Sequence, residues 1–368
     1  MLMRASLLLL IVSICSGCGD PTADVDSRSP DLIPSADTPD NAEAVKALEL
    51  VEAKFKRNGD GNIVEVNLRG SSVTDDILKN VALLQCVTSL LLNDLPISDD
   101  GLAHLTDWEA PIANLDLRGC AIGNDGLAHI AGLMSLKAIR LNGESGSTSV
   151  DDGGLQHLAG LTNLQVLALD HCWVSEVGLE SLDKLVNLEE LYLKATTISD
   201  EGLQCLNWYP KLKKLRLANN QISDEGLVHL ASIRTLEELD LSENSSIFNA
   251  GLTHLSGLLN LRKLNLWRVA ISDAGVDKLA PLVNMEWLNL DNTQLSNDGL
   301  PALKEMDKLT FLHVGSTFVS DEGLVHFEPL KALKDLKVTR TAITEEGVAA
   351  LQPKLPDTKI QLLYIEGQ

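Results

Sequence analysis

A chain of 368 residues is long enough for one large or two medium domains, and 45% hydrophobic content with only 4% aromatics places the apolar volume in Leu, Ile, Val and Ala. The 52 acidic against 30 basic residues give a formal net charge of -22, spread along the chain instead of collected in one tail. That balance repels phosphate backbones and anionic headgroups, so it disfavours nucleic-acid binding and electrostatic docking on lipid, and accommodates a basic or neutral partner.

The first 18 residues carry a lone basic Arg4, an apolar run from Leu7 to Ile14, and the small residues Ser16 and Gly17 before Cys18. This reads as an export signal, and its apolar run is too short to span a bilayer comfortably. It resembles a bacterial lipoprotein signal, and the resemblance implies that Cys18 is lipidated and becomes the mature N-terminus, so that the membrane is met by an N-terminal lipid only. Cys15 stands where Leu is usual in that pattern, and a plain secretory signal or an uncleaved anchor is the alternative. Residues 19–41, rich in Pro, Asp and Ser, have almost nothing to bury and are expected to be a disordered tether. A random coil of that length would hold the folded part roughly 25 Å from its anchor.

Residues 42–62 are expected to form an N-terminal capping helix and a turn. Asp40 and Glu43 have capping-box spacing, and Val45, Leu48, Val51 and Phe55 fall on one helical face. Asn58 to Asn62 (NGDGN) then breaks the chain; Asp60-Gly61 suggests a calcium loop, but the other ligand positions are missing and a simple turn is favoured.

From residue 63 the chain repeats itself. A Gly or its equivalent before an apolar residue falls at Ile77, Gly101, Gly126, Gly154, Gly178, Gly202, Gly226, Gly251, Gly275, Gly299, Gly323 and Gly347, with spacings of 24 or 25 residues except one of 28. A fixed period in the twenties indicates a solenoid. In the unit LEELYLKATTISDEGL, from Leu188 to Leu203, Leu191 and Leu193 alternate with Glu190, Tyr192 and Lys194, as a short strand with leucines inward requires. Ile198 closes the turn, Ser199 is placed as a helix N-cap, and Asp200 and Glu201 fall where the helix dipole favours carboxylates. One unit cannot stand alone: ordering its backbone costs ~24 to 48 kcal/mol, and burying about seven apolar side chains returns only ~10 to 21 kcal/mol. Stacking must supply the rest.

The LxxLxLxxTxI pattern resembles the leucine-rich repeats over residues 63 to 368. The resemblance implies an α/β solenoid: a curved horseshoe with a parallel concave sheet and short helices on the convex side. About 12 repeats of roughly 24 residues would fill residues 63–357, with a C-terminal closing strand at 358–368 carrying Ile360, Leu362 and Tyr364. Cys120 and Cys172, in the slot usually held by Thr, are similar to the cysteine-containing repeat subclass of eukaryotic F-box proteins; no F-box precedes the repeats, so a ubiquitin-ligase role is not implied.

Chemistry is sparse. His104, His129, His157, His229, His254 and His326 share one slot three residues after the Gly, which resembles a ladder of metal ligands, but duplication of a consensus letter explains the row and no metal site is expected. Cys86, Cys120, Cys172 and Cys205 lie in different repeats and are expected to be free, mostly buried thiols. No GxSxG elbow, phosphate-cradling glycine loop or HExxH is present, and the carboxylates of the SDEGL turns are accounted for by capping and dipole effects. No catalytic residue and no cofactor is assigned.

Repeat proteins usually bind on the concave face, where parallel strands present side chains in rows. The expected central row runs Asn67, Leu91, Asp116, Arg140, Ala168, Tyr192, Arg216, Asp240, Asn265, Asn289, His313 and Lys337. Lys194, Lys214 and Arg216 form a basic group, and Tyr192, Trp267, Trp287, Phe311 and His313 put aromatics on the C-terminal half. Such residues are the usual anchors of an interface. The expected function is therefore a cell-envelope or secreted binding module for a protein or peptide partner, with an adhesive spacer or a glycan-binding surface as the alternative. The nine residues Asn142 to Val150, which make the 28-residue step, are expected to be a tolerated surface loop.

Overall fold

The computed structural model describes residues 39–363; Cys18, the signal, most of the tether and Tyr364 lie outside them. Fourteen strands form one open sheet whose spatial order is the order of the chain. After helix α1 (Ala42–Leu50) comes strand β1 (Lys54–Arg57), which runs antiparallel to β2 (Ile63–Asn67). Every later pairing is parallel, rung on rung, up to the last strand, Lys359–Gln361. The inward leucines, such as Leu191, Leu215, Leu239 and Leu264, are at most 2% exposed and stack in one continuous core.

The N-terminal segment departs from the expected helix. Asn41, not Asp40, caps α1, its side chain accepting from the Glu43 and Ala44 amides at 3.1 and 3.0 Å. Asp40 accepts from the Ile63 amide at 2.7 Å and pairs with Arg57, so its carboxylate ties the cap to the first rung. The helix stops because Glu52 takes a left-handed φ of 60°. Phe55 therefore lies on β1, opposite Val66, and still packs on the core. Asn58 accepts from the Asp60 and Asn62 amides, which makes the NGDGN segment a side-chain-stabilised hairpin turn.

The convex segments are short α-helices in the N-terminal half and largely 3₁₀-helices beyond it, as at Glu201–Trp208, Asn297–Leu303 and Asp321–His326. The SDEGL carboxylates do more than cap. Asp152 accepts from the Ser175 amide and hydroxyl at 2.7 and 2.6 Å, Asp273 from those of Ser296, and Asp321 from those of Thr344. Each partner is 23 residues on, so the aspartate is a clamp to the next rung. The Gly ruler follows from this clamp: a Cβ on Gly178 would lie 2.5 Å from Asp152 Oδ1, and one on Gly275 would lie 2.6 Å from Asn249 Oδ1. Ser199 is the exception. Glu176 replaces Asp in the rung before it, Ser199 donates to that Glu at 3.4 Å, and Asp200 takes the cap position.

A second set of bonds between rungs runs inside several of the turns after the strands. Asn220 donates to the carbonyls of Leu193 and Leu217, and the fully buried Asn244 to those of Leu217 and Leu241. Cys120 fills the same slot with Sγ 3.2 Å from the Leu92 carbonyl, and Thr148 reaches the Cys120 carbonyl at 3.0 Å. That bond also anchors the long loop, leaving Glu144 to Ser147 exposed between a buried Thr148 and Val150 and the strand before them.

Tyr209 is 1% exposed and its hydroxyl has no hydrogen-bond partner among the described residues. An unpaired buried hydroxyl carries an uncompensated desolvation cost. Tyr209→Phe is expected to raise the unfolding free energy by about 1 kcal/mol in chemical denaturation; a loss of stability would show that the hydroxyl is satisfied in solution.

Candidate binding surface

The rungs place every concave side chain at a fixed register, because each strand residue lies beside the one about 24 residues on. Lys263, Trp287, Phe311 and Asp335 form one row, and Asn265, Asn289, His313 and Lys337 the next. The N-terminal half of this face is closed by its own pairs. Asp116 is 4% exposed and bound by Arg118 at 2.6 Å, Arg140 donates to Asn114, and Ala168 is buried.

On the C-terminal half two hollows adjoin and share Trp287. The first, about 330 Å³, lies over Leu215 and Leu239 between Tyr192 and Trp287, and is edged by Lys214, Arg216, Glu238, Asp240 and Lys263. The second, about 540 Å³, lies between Trp267, Trp287 and Phe311, with His313, Asp291, Lys337 and Arg340 around it. Seven of the eight concave residues singled out from the sequence, Tyr192, Lys214, Arg216, Trp267, Trp287, Phe311 and His313, line these two hollows. Lys194 lines neither; its amide donates to Asp170 at 2.8 Å.

The basic group is not a free patch. Lys214 sits 3.0 Å from Glu190 and 3.9 Å from Glu238, Lys263 is 3.0 Å from Glu238, and Arg216 is 2.7 Å from Asp170. Glu190, Lys214, Glu238 and Lys263 thus alternate in sign along one row, a signal present in the sequence once the repeats are aligned. Arg216 also lies over the Tyr192 ring at 5.0 Å, and the Tyr192 hydroxyl donates to Glu190 at 2.7 Å. Burial and the neighbouring Glu190 raise the Tyr192 pKa, so the phenol stays protonated.

The second hollow has a different balance. Trp287 and Phe311 stack with centroids 4.8 Å apart and planes 5° apart, and His313 meets the Phe311 edge. His313 Nε2 is buried without a hydrogen-bond partner among the described residues, 3.7 Å from Asp291 Oδ1. Desolvation lowers its pKa, with Lys337 adding to the effect while Asp291 and Asp335 oppose it, so the ring is neutral near pH 7. Lys337 lies 5.7 Å from the Phe311 centroid. Lys337, Asp291, Arg340 and Asn289 are lining residues that the sequence reading left outside its chosen set.

The convex histidines form no metal centre among the described residues, where no three His, Cys, Asp or Glu side chains converge. Cys86, Cys120, Cys172 and Cys205 are free. Burial pushes the Cys120 and Cys205 thiols up to about 11 and the Cys172 thiol up to about 12, so none of these three is a ready thiolate.

A 24-residue rung with inward leucines, turns closed in most rungs by an Asn, Thr or Cys, and a parallel sheet in chain order define a leucine-rich-repeat solenoid. The fold is that of the leucine-rich-repeat proteins, and the leucine-rich-repeat family model matches residues 114–131 and 210–231. An internalin from Listeria monocytogenes is similar in structure, with a TM-score of 0.64 at 19% identity over 89% of this chain and 96% of the other. The leucine-rich-repeat ectodomain of a plant membrane receptor kinase from Arabidopsis thaliana, solved in complex with Casparian strip integrity factor 2, gives a TM-score of 0.51 at 18% identity. There 85% of this chain covers 40% of the ectodomain. No curated protein matches the chain in sequence. Among the described residues no helix is long and apolar enough to cross a membrane.

Proposed function

We propose that this chain is an exported, lipid-anchored binding module that holds a protein or peptide on the C-terminal half of its concave face and performs no catalysis. The observation that carries this reading is the pair of hollows sharing Trp287, where the four half-buried aromatic rings of Tyr192, Trp267, Trp287 and Phe311 stand beside charged side chains on an otherwise regular sheet. Aromatic and Arg anchors in pockets contribute most of the energy at protein interfaces. The structurally similar receptor ectodomain, solved with a bound factor, supports the same use of the fold. Cys18 would carry the lipid, and the segment up to about residue 41 would hold the solenoid off the membrane.

The test is affinity capture from envelope extract with the full-length chain, beside a variant with Tyr192, Trp267, Trp287 and Phe311 changed to Ser and shown to unfold at the same midpoint. The expected result is a partner held by the native chain and lost from the variant. Capture of the same set by both would overturn the concave reading. Labelling with palmitate, present in the native chain and absent in Cys18→Ala, checks the anchor.

A further inference from the structure

We propose that the second hollow selects an acidic residue of the bound peptide, placing an Asp or Glu carboxylate at Lys337 and an adjoining apolar side chain against Trp267, Trp287 and Phe311. This rests on the reading of the concave face as a peptide-binding surface and adds the chemistry of the occupant.

The charges of the two hollows are arranged differently. In the first hollow Lys214, Lys263 and Arg216 each have a carboxylate within 3.0 Å, so an incoming anion would have to displace an internal partner. In the second, three cations, Arg268, Lys337 and Arg340, line the cavity with a single carboxylate, Asp291. Arg268 is paired with Glu243 at 3.1 Å. Lys337 is half-buried and, among the described residues, has no carboxylate within ion-pair distance; its ammonium lies over the Phe311 ring instead. A half-buried ammonium held only by an aromatic face gains more from a carboxylate ligand than one already in a salt bridge.

His313 gives a second, independent indication. Its buried Nε2 has no hydrogen-bond partner among the described residues, while Asn289 beside it on the same face offers a further polar group to a bound chain. The rest of the molecule selects against such a ligand at a distance, since the net charge is -22. Local charge complementarity and ring contact must therefore both be present for an acidic peptide to stay, which makes the hollow selective for a carboxylate next to an apolar residue.

The probe is a phage-displayed library of random peptides selected on the full-length chain, with consensus peptides then synthesised and titrated against the native protein, Lys337→Glu and Lys214→Glu. The expected result is a consensus with Asp or Glu beside an aromatic or aliphatic residue, whose affinity falls at least about tenfold in Lys337→Glu, as a lost charged hydrogen bond requires, and changes much less in Lys214→Glu. A basic or uncharged consensus would overturn the inference, as would an acidic consensus indifferent to Lys337→Glu. A non-acidic consensus that is lost on Trp287→Ser overturns this inference alone and leaves the concave binding site standing. Failure to select any peptide overturns it too, while the whole-partner capture described above can still succeed.

Discussion

Replacing Asn244 by Ala is expected to lower the unfolding free energy by about 3–5 kcal/mol, because several backbone groups lose their partners together. The Asn244 side chain is 0% exposed and donates at 2.9 Å to the carbonyls of Leu217 and Leu241. Its Oδ1 accepts from the amides of Asn220 and Ile222 at 3.1 and 3.3 Å. Asn244 and Ile222 are fully buried and Asn220 is half-buried, so an alanine at Asn244 leaves donors and acceptors of two rungs unsatisfied. Because a solenoid is held by nearest-neighbour contacts, the break is expected to divide unfolding into two transitions, one for the rungs on each side. Guanidinium denaturation followed by circular dichroism reads both effects. Gln221→Ala, at an exposed position in the adjoining turn of the preceding rung, should stay within about 0.5 kcal/mol. A loss below about 1 kcal/mol for Asn244→Ala would mean that the backbone re-pairs when the amide is gone.

The second large effect is expected at Gly126. A Cβ there would collide with Asp99 Oδ1 and lie 3.0 Å from the Ile122 methyl. Asp99 cannot simply turn aside, since its Oδ1 accepts from the Gly123 amide at 2.8 Å and so clamps one rung to the next. Gly126→Ala should cost about 2–3 kcal/mol by overpacking, and Asp99→Ala about 1–2 kcal/mol by leaving the Gly123 amide unpaired. The double variant should fall short of the sum by about 1 kcal/mol or more, since removing the carboxylate makes room for the methyl. Gly202→Ala is the control: the nearest atom of the preceding rung is Glu176 Cβ at 3.5 Å, and the tightest contact is the Ile198 methyl at 3.0 Å. Strict additivity at Gly126 would show that the glycine is there for a reason other than the clamp.

Much of this molecule was legible in the sequence because two periods act together. Alternation along LEELYLKATTISDEGL assigns Leu191 and Leu193 to the core and Tyr192 to the concave face, and the 24-residue spacing then makes Tyr192 the neighbour of Arg216. Strand positions, rung order and the concave rows follow without any knowledge of loops. The residues that line the two hollows were for the same reason mostly found: Trp287 and Phe311 stack because they occupy one slot in successive rungs.

Three things were decided by the tertiary structure. Leu48 and Phe55 fit one helical stripe, yet a left-handed Glu52 sends Phe55 into an edge strand, where pairing with Val66 satisfies a backbone that a longer helix would have left unpaired against β2. The SDEGL aspartates have the composition of helix caps, but the next rung presents a serine amide and hydroxyl within 3 Å, and a bond between rungs is visible only when the rungs are stacked. Finally, Lys214, Arg216 and Lys337 are equivalent as letters, whereas their electrostatic states differ: Glu190, Glu238 and Asp170 neutralise the first two, and the third lies over an aromatic ring with no carboxylate in ion-pair distance among the described residues. Residue type determines that a charge is present; the distance to its neighbours, set by the stacking of the sheet, determines whether that charge is available to a ligand.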